Sequence, residues 1–101
     1  MMHERFDDHR VAVEPAPVRS GGKVSIHYHG LLSNSGADAI YLHYGYDGWR
    51  DPRTVPMQRT ADGGFSAEIS ATADRELNFC FKDSANNWDN NSGWNWRCEI
   101  V

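Results

Sequence analysis

The stretch that decides the fold is Ile40–Trp49, IYLHYGYDGW. In its first half, large apolar side chains occupy every second position, and Tyr41 and His43 stand between them. Neighbouring side chains of an extended chain point to opposite faces, so this alternation predicts a β-strand with one buried face. The strand should end at Asp47-Gly48, a pair that favours a tight turn, and Trp49 follows directly.

The same pattern recurs along the chain. Alternating or β-branched segments predict further strands at residues 11–13, 23–28, 65–69, 76–82 and 95–101, and a shorter one near Val55 and Met57. Turn-forming clusters lie between several of them, among them Ser33–Gly36 and Ala61–Gly64. Because no segment carries a sustained helical period, the sequence predicts an all-β protein, either a sandwich or a barrel.

Composition limits the function classes. The 101 residues fit one domain, and a content of 40% hydrophobic and 24% charged residues is typical of a globular chain. The net charge of −4 argues against a nucleic-acid partner, because binding a phosphate backbone requires a basic surface. No apolar run approaches the length of a membrane span, so we expect no membrane partner.

The N-terminus and the cysteines indicate the cellular setting. The first ten residues are polar and lack the apolar segment of a signal peptide, so we expect a cytoplasmic protein. Alternation places Cys80 on the strand face opposite Phe79, and it places Cys98 on the same face as Trp96. The two sulfurs should therefore lie on different sides of the sheet and stay reduced, as is usual inside cells.

The most unusual composition is that of Asp83–Trp96, DSANNWDNNSGWNW. Its Asn, Asp, Ser and Gly residues predict a loop in water, and water is a poor environment for three indoles. Such a segment indicates a contact surface, because the rings offer a face to stack on and the amides offer paired donors and acceptors. A sugar matches both, with C–H groups on its faces and hydroxyls around its rim.

Each aromatic candidate also has a structural interpretation. For Trp49 the alternative is a plug over the open end of the sandwich, and a strand histidine such as His43 is more often a solvated surface residue. Trp88 has no apolar neighbour in sequence, which weakens the plug interpretation for that residue. Trp96 lies in an alternating strand and is predicted to belong to the core, whereas Trp94 stays open between a supporting role and a platform.

Metal and catalytic sites are weaker hypotheses. The Asp- and Asn-rich segment does not follow the EF-hand order, and no Glu closes it. His27 and His29 share a strand face, where an exposed polar surface is favoured over a metal site. The carboxylates lie in predicted exposed turns rather than in the deep pocket that raises the pKa of a catalytic acid. We therefore expect no metal, no cofactor and no catalytic residue.

Several blocks, taken in order, resemble the starch-binding carbohydrate-binding modules of family 25, and the related families 26 and 53 are similar. The blocks are residues 40–49, 56–57, 62–65, 77–83, 87–91 and 93. The resemblance implies an immunoglobulin-like antiparallel β-sandwich without catalytic activity, which binds α-1,4-glucans at a shallow surface site with aromatic platforms. We accordingly expect an N-terminal tail over residues 1–15 and a carbohydrate-binding β-sandwich domain over residues 16–101.

The resemblance also implies roles for individual residues. His43 corresponds to the strand histidine of the family, Trp49 to its first platform and Trp88 to its second. Flanking sugar contacts are expected from Tyr41, Asn86, Asn87 and Asn91. Two functions fit these expectations: a module that binds starch, glycogen or maltooligosaccharides, and a regulatory or protein-interaction subunit that targets a partner, such as a glucan-metabolising enzyme, to glycogen.

Overall fold

The computed structural model describes residues 6–7, 10–15, 18–71, 75–90, 93 and 95–101. Asn91 and Trp94 lie outside these residues. In chain order the elements are β1 (Phe6–Asp7), β2 (Val11–Glu14), β3 (Lys23–Tyr28), α1 (Leu31–Asn34), β4 (Ile40–Tyr46), β5 (Arg50–Pro56), β6 (Gln58–Arg59), β7 (Phe65–Ser70), β8 (Glu76–Asp83), β9 (Trp88–Asp89) and β10 (Trp96–Glu99).

The described strands form two antiparallel sheets. One sheet has the order β1-β2-β3-β7-β6, and the other has the order β10-β8-β4-β5, with β9 paired to the far part of β8. Tyr28 of the first sheet stacks on Phe81 of the second, with ring centroids 4.1 Å apart. The two sheets thus pack face to face around one core, which confirms the predicted β-sandwich.

Alternation explains which side chains form this core. Val24, Ile26 and Tyr28 of β3 are buried, and so are Leu77 and Phe79 of β8. Removing a large apolar side chain from water contributes about 1.5–3 kcal/mol, so these inward faces supply most of the stability of the sandwich. Trp96 and Cys98 are also buried in this core, as the alternation of the last strand predicts.

Three boundaries differ from the sequence prediction. The strand expected near Val55 begins at Arg50, because backbone pairing with β4 continues along a strand whose side chains are mostly exposed. The first two residues of the turn expected at Ser33–Gly36 belong instead to the short helix α1, which is too brief to show a helical period and which buries Leu32. Within the predicted tail, β2 pairs with β3 and buries Val11 and Val13, so this part of residues 1–15 belongs to the sandwich.

The cysteines lie as predicted. Both are free and buried, with Cys98 in the core cluster and Cys80 paired in register with His43 on the other face. Burial raises the pKa of each thiol to about 11, so both carry their protons at neutral pH. Among the described residues, no helix is long and apolar enough to cross a membrane.

Candidate functional site

The outer face of the sheet that contains β4 and β8 collects the predicted site residues. Strand register places Tyr41 of β4 beside Lys82 of β8, and Lys82 in turn beside Trp88 of β9. The next row places His43 beside Cys80. Because all of these side chains alternate with core residues, they share one surface of the sandwich.

Trp49 reaches this surface through a strained turn. Its φ is +72°, a left-handed conformation that costs about 1–3 kcal/mol for a residue with a bulky side chain. The amide groups of Gly48 and Trp49 donate to the Oδ1 atom of Asn78 at 2.9 and 3.2 Å, and this bracing holds the turn. Gly45 leaves room for it, because a Cβ at that position would lie 3.0 Å from the Cα of Trp49.

His43 contacts both indoles. The ring centroids of His43 and Trp49 are 5.5 Å apart with the planes inclined by 22°, and those of His43 and Trp88 are 5.4 Å apart with the planes inclined by 83°. The imidazole is thus nearly parallel to one indole and nearly perpendicular to the other. The two indole planes are therefore steeply inclined to each other.

The charge state of His43 follows from its surroundings. Partial burial, and to a lesser degree the nearby Lys82 ammonium, lower its pKa below the ordinary value of a histidine. The Nδ1 atom lies 2.8 Å from the hydroxyl oxygen of Thr54 on β5. At neutral pH the ring is therefore uncharged, with one nitrogen engaged by Thr54.

Lys82 links the strand residues to the loop that follows β8. Its Nζ atom lies 5.6 Å from the ring centroid of Tyr41 and 5.7 Å from that of Trp88, distances at which a cation attracts an aromatic face. The same ammonium donates a 2.8 Å hydrogen bond to the Oδ1 atom of Asn86. Tyr41, Asn86 and Trp88 therefore surround one cation, on the surface that carries His43.

Asn87 has a structural contact in addition to its predicted role in binding. Its side-chain amide donates to Asp83 at 2.9 Å, and the backbone amides of Ala85 and Asn87 donate to the same carboxylate. These donors, with the Asn87 side chain first, lower the pKa of Asp83. Asp83, which belongs to the Asp- and Asn-rich segment compared above with an EF-hand, thus closes the turn that leads to Trp88.

Trp88 is anchored by its neighbour Asp89. The Tyr28 hydroxyl donates to the Oδ2 atom of Asp89 at 2.6 Å and accepts from the backbone amide of Leu32 at 3.0 Å. Asp89 is buried, whereas the side chain of Trp88 is 47% exposed. No group of three or more His, Cys, Asp or Glu residues in the described part of the chain is arranged to hold a metal ion.

Sequence reasoning missed three residues that position the site, namely Tyr28, Asn78 and Lys82. Asn78 carries a usable signal, since Asn is a poor strand former and stands in the middle of an alternating strand. Tyr28 carries a weaker one, because a buried phenol needs a hydrogen-bond partner that the sequence does not identify. Lys82 has no signal of its own, since a strand lysine on an outer face is ordinary.

Comparison with known proteins addresses the family directly. The family model of the starch/carbohydrate-binding module (family 53) matches residues 24–79, a range that includes His43 and Trp49 and ends before Trp88. The chain is also 36% identical over 88 residues to an alpha-amylase of Clostridium acetobutylicum, an alignment that covers 86% of this chain and 11% of the relative. No solved structure matches significantly.

These matches refine the resemblance seen in the sequence. Starch binding as the family character is confirmed, and the related family 53 is matched, while membership of family 25 itself is not confirmed. The relative named alpha-amylase is much longer than this chain, which spans about a ninth of its length. The chain belongs to the starch/carbohydrate-binding modules of family 53.

Proposed function

We propose that this module binds α-1,4-glucans without catalysis, at the surface formed by Trp49, His43 and Trp88. The observation that carries the proposal is the contact of two steeply inclined indoles with one uncharged imidazole. An α-1,4-glucan curves, so its successive glucose rings present their faces at an angle. Inclined rings match that curve better than coplanar ones, which favours an α-glucan over a flat β-1,4-glucan.

Polar groups at this surface suit the hydroxyl rim of the sugar. With Nδ1 of His43 engaged by Thr54, the Nε2 atom is the ring nitrogen for a glucose hydroxyl. Asn86 and Asn87 are exposed beside Trp88, and Tyr41 lies next to Lys82. We propose these three as flanking contacts, together with Asn91, which lies outside the described residues.

The size of these contributions predicts a weak single site. Each stacked ring contributes about 1–3 kcal/mol by analogy with base stacking, and each exposed hydrogen bond about 1 kcal/mol. Association costs offset much of that sum, which leaves a Kd between about 1 μM and 1 mM. Retention on starch or glycogen then comes from the many equivalent sites on a polymer.

A catalytic partner is the natural context for such a module. The match to a segment of a protein named alpha-amylase supports a role beside a glucan-metabolising enzyme. We propose that the module keeps such an enzyme on its polymer, whether starch or glycogen. The alternative, a protein-interaction subunit that has lost glucan affinity, predicts that the isolated chain is not retained on amylose.

The direct test compares Trp49→Ala and Trp88→Ala with the parent chain in titrations with maltoheptaose. Each variant should lose most of the affinity, because each loses one stacking surface, while circular dichroism shows an intact fold. Lys23→Ala is the matched control, since Lys23 lies on the opposite sheet in an exposed pair with Glu68. Unchanged affinity in both tryptophan variants, or equal binding of cellohexaose, would contradict the proposal.

A further inference from the structure

Leu31 is an unusually exposed apolar residue beside the site. Among the described residues, the large hydrophobic side chains that are most exposed are Leu31, at 61%, Trp88, at 47%, and Val101, at 57%. The first two line the same groove, and the elements that carry them, α1 and β9, contact each other. A single exposed leucine needs no explanation, but a leucine and an exposed indole that line the same groove form an apolar strip within it.

The groove that holds this strip shares Trp88 with the aromatic cluster around His43. The groove has a volume of about 650 Å³. One wall consists of α1 and the segment that follows it, and the other wall is the turn that follows β8. Leu31 and Trp88 are the exposed large apolar residues of its lining, and polar residues of the lining include Ser35, Asp38 and Asn87. At one point the two walls are joined by a hydrogen bond of 3.4 Å from Ser84 to Asp38.

Trp88 belongs both to this groove and to the aromatic cluster. Its ring contacts the imidazole of His43, and it also lines the groove with Leu31. A ligand stacked at Trp88 is therefore adjacent to a second surface of the same chemical character. An apolar strip with hydroxyl and amide groups at its rim is the surface that a pyranose ring requires, with an apolar face and polar edges.

We propose that the groove between α1 and the turn after β8 holds further glucose units of the same α-glucan chain, with Leu31 as the residue that favours longer chains. The inference rests on the proposed function, since it extends the ligand already assigned to Trp49 and Trp88. A short oligosaccharide occupies the aromatic cluster alone. A longer one continues past Trp88 and buries the side chain of Leu31 against its apolar face.

The test is a titration series with maltotriose, maltopentaose and maltoheptaose on the parent chain and on Leu31→Ala. Alanine removes the exposed side chain and is the best helix former, so the fold is preserved. Val101→Ala is the matched control, since it removes an apolar group that is exposed to a similar degree. In parallel, the amide signals of residues 33–36 are followed by NMR with each oligosaccharide.

The parent chain should bind maltoheptaose more tightly than maltotriose. Leu31→Ala should lower the affinity for maltoheptaose about fivefold, as expected for partial loss of one buried leucine, and leave that for maltotriose within about twofold. The amide signals near α1 should shift only with the longer chains. The inference would be overturned if Leu31→Ala affected both chain lengths equally or affected neither. It would also be overturned if the parent chain showed no preference for length. In each case the proposed role of Trp49 and Trp88 would still stand. No binding of any maltooligosaccharide by the parent would overturn the proposed function as well.

Discussion

The hydroxyl of Tyr28 donates a 2.6 Å hydrogen bond to the carboxylate of Asp89, the residue after Trp88. Tyr28 is stacked on Phe81 in the core, so this bond ties the segment with the exposed indole to the core of the sandwich. The same hydroxyl accepts from the amide of Leu32 in α1. One phenol therefore holds both the segment that carries Trp88 and the helix that carries Leu31.

We predict that Tyr28→Phe lowers both stability and glucan affinity. The variant leaves the buried Asp89 without the Tyr28 donor, which should lower the free energy of unfolding by about 1–3 kcal/mol. It also releases Trp88, so the affinity for maltoheptaose should fall severalfold. Urea unfolding and calorimetric titration measure the two effects.

Tyr46→Phe is the matched control for this prediction. The Tyr46 hydroxyl also donates a 2.6 Å hydrogen bond, but its acceptor is the backbone carbonyl of Ser70 on the opposite sheet. This variant should lose stability and keep its affinity. If the two variants lose the same affinity, or if Tyr28→Phe loses none, Tyr28 has no positioning role.

Gly45→Ala should weaken binding by displacing Trp49. The added Cβ would lie 3.0 Å from the Cα of Trp49 and 3.2 Å from the carbonyl oxygen of Arg50, so the strained turn must move. We expect roughly a tenfold loss of affinity, comparable to one stacking contact, with the fold retained. Gly22→Ala serves as the control, because its Cβ would make a similarly close contact of 3.2 Å with Arg19 instead. Comparable losses in both variants would show a general effect of crowding and not a displacement of Trp49.

The pH dependence of His43 is a third prediction. Burial and the nearby Lys82 ammonium lower the pKa of His43 in the folded state. In the pH window between that lowered pKa and the ordinary value, the folded protein therefore binds fewer protons than the unfolded chain. The contribution of the neutral His43 ring to the free energy of unfolding is complete above the ordinary pKa of histidine. It is lost as the pH falls through this window. Glucan affinity should fall at the lower end of the window, where the ring gains its proton and neither of its nitrogens can accept a hydrogen bond.

Lys82→Met provides the check on this cause. Removing the ammonium should move the NMR titration midpoint of His43 upward, and only part of the way to the ordinary value, because burial is the larger cause. The loss of affinity should begin at a correspondingly higher pH. A midpoint that does not move in the variant would rule out the contribution of Lys82.

The strands and their buried faces could be predicted from the sequence, because alternation is a local property of an extended chain. The pattern from Ile40 to Tyr44 and that of β3 place the correct side chains in the core, and the last strand places Trp96 there. Family resemblance selected His43, Trp49 and Trp88, which the fold brings into contact. The helix α1 was not predicted, since one turn is too short to show a period.

By itself, then, the sequence determined the fold class, the core faces and the starch-binding character of the family, while the comparison with known proteins identified family 53. Only the tertiary structure decided how the site is held: Asn78 under the turn of Trp49, Lys82 between Tyr41 and Trp88, and Tyr28 bonded to Asp89. These contacts join residues from different strands, and their geometry depends on strand register and on the packing of two sheets. Local patterns report the direction of each side chain, whereas the distance between two distant side chains exists only after the sheets have formed.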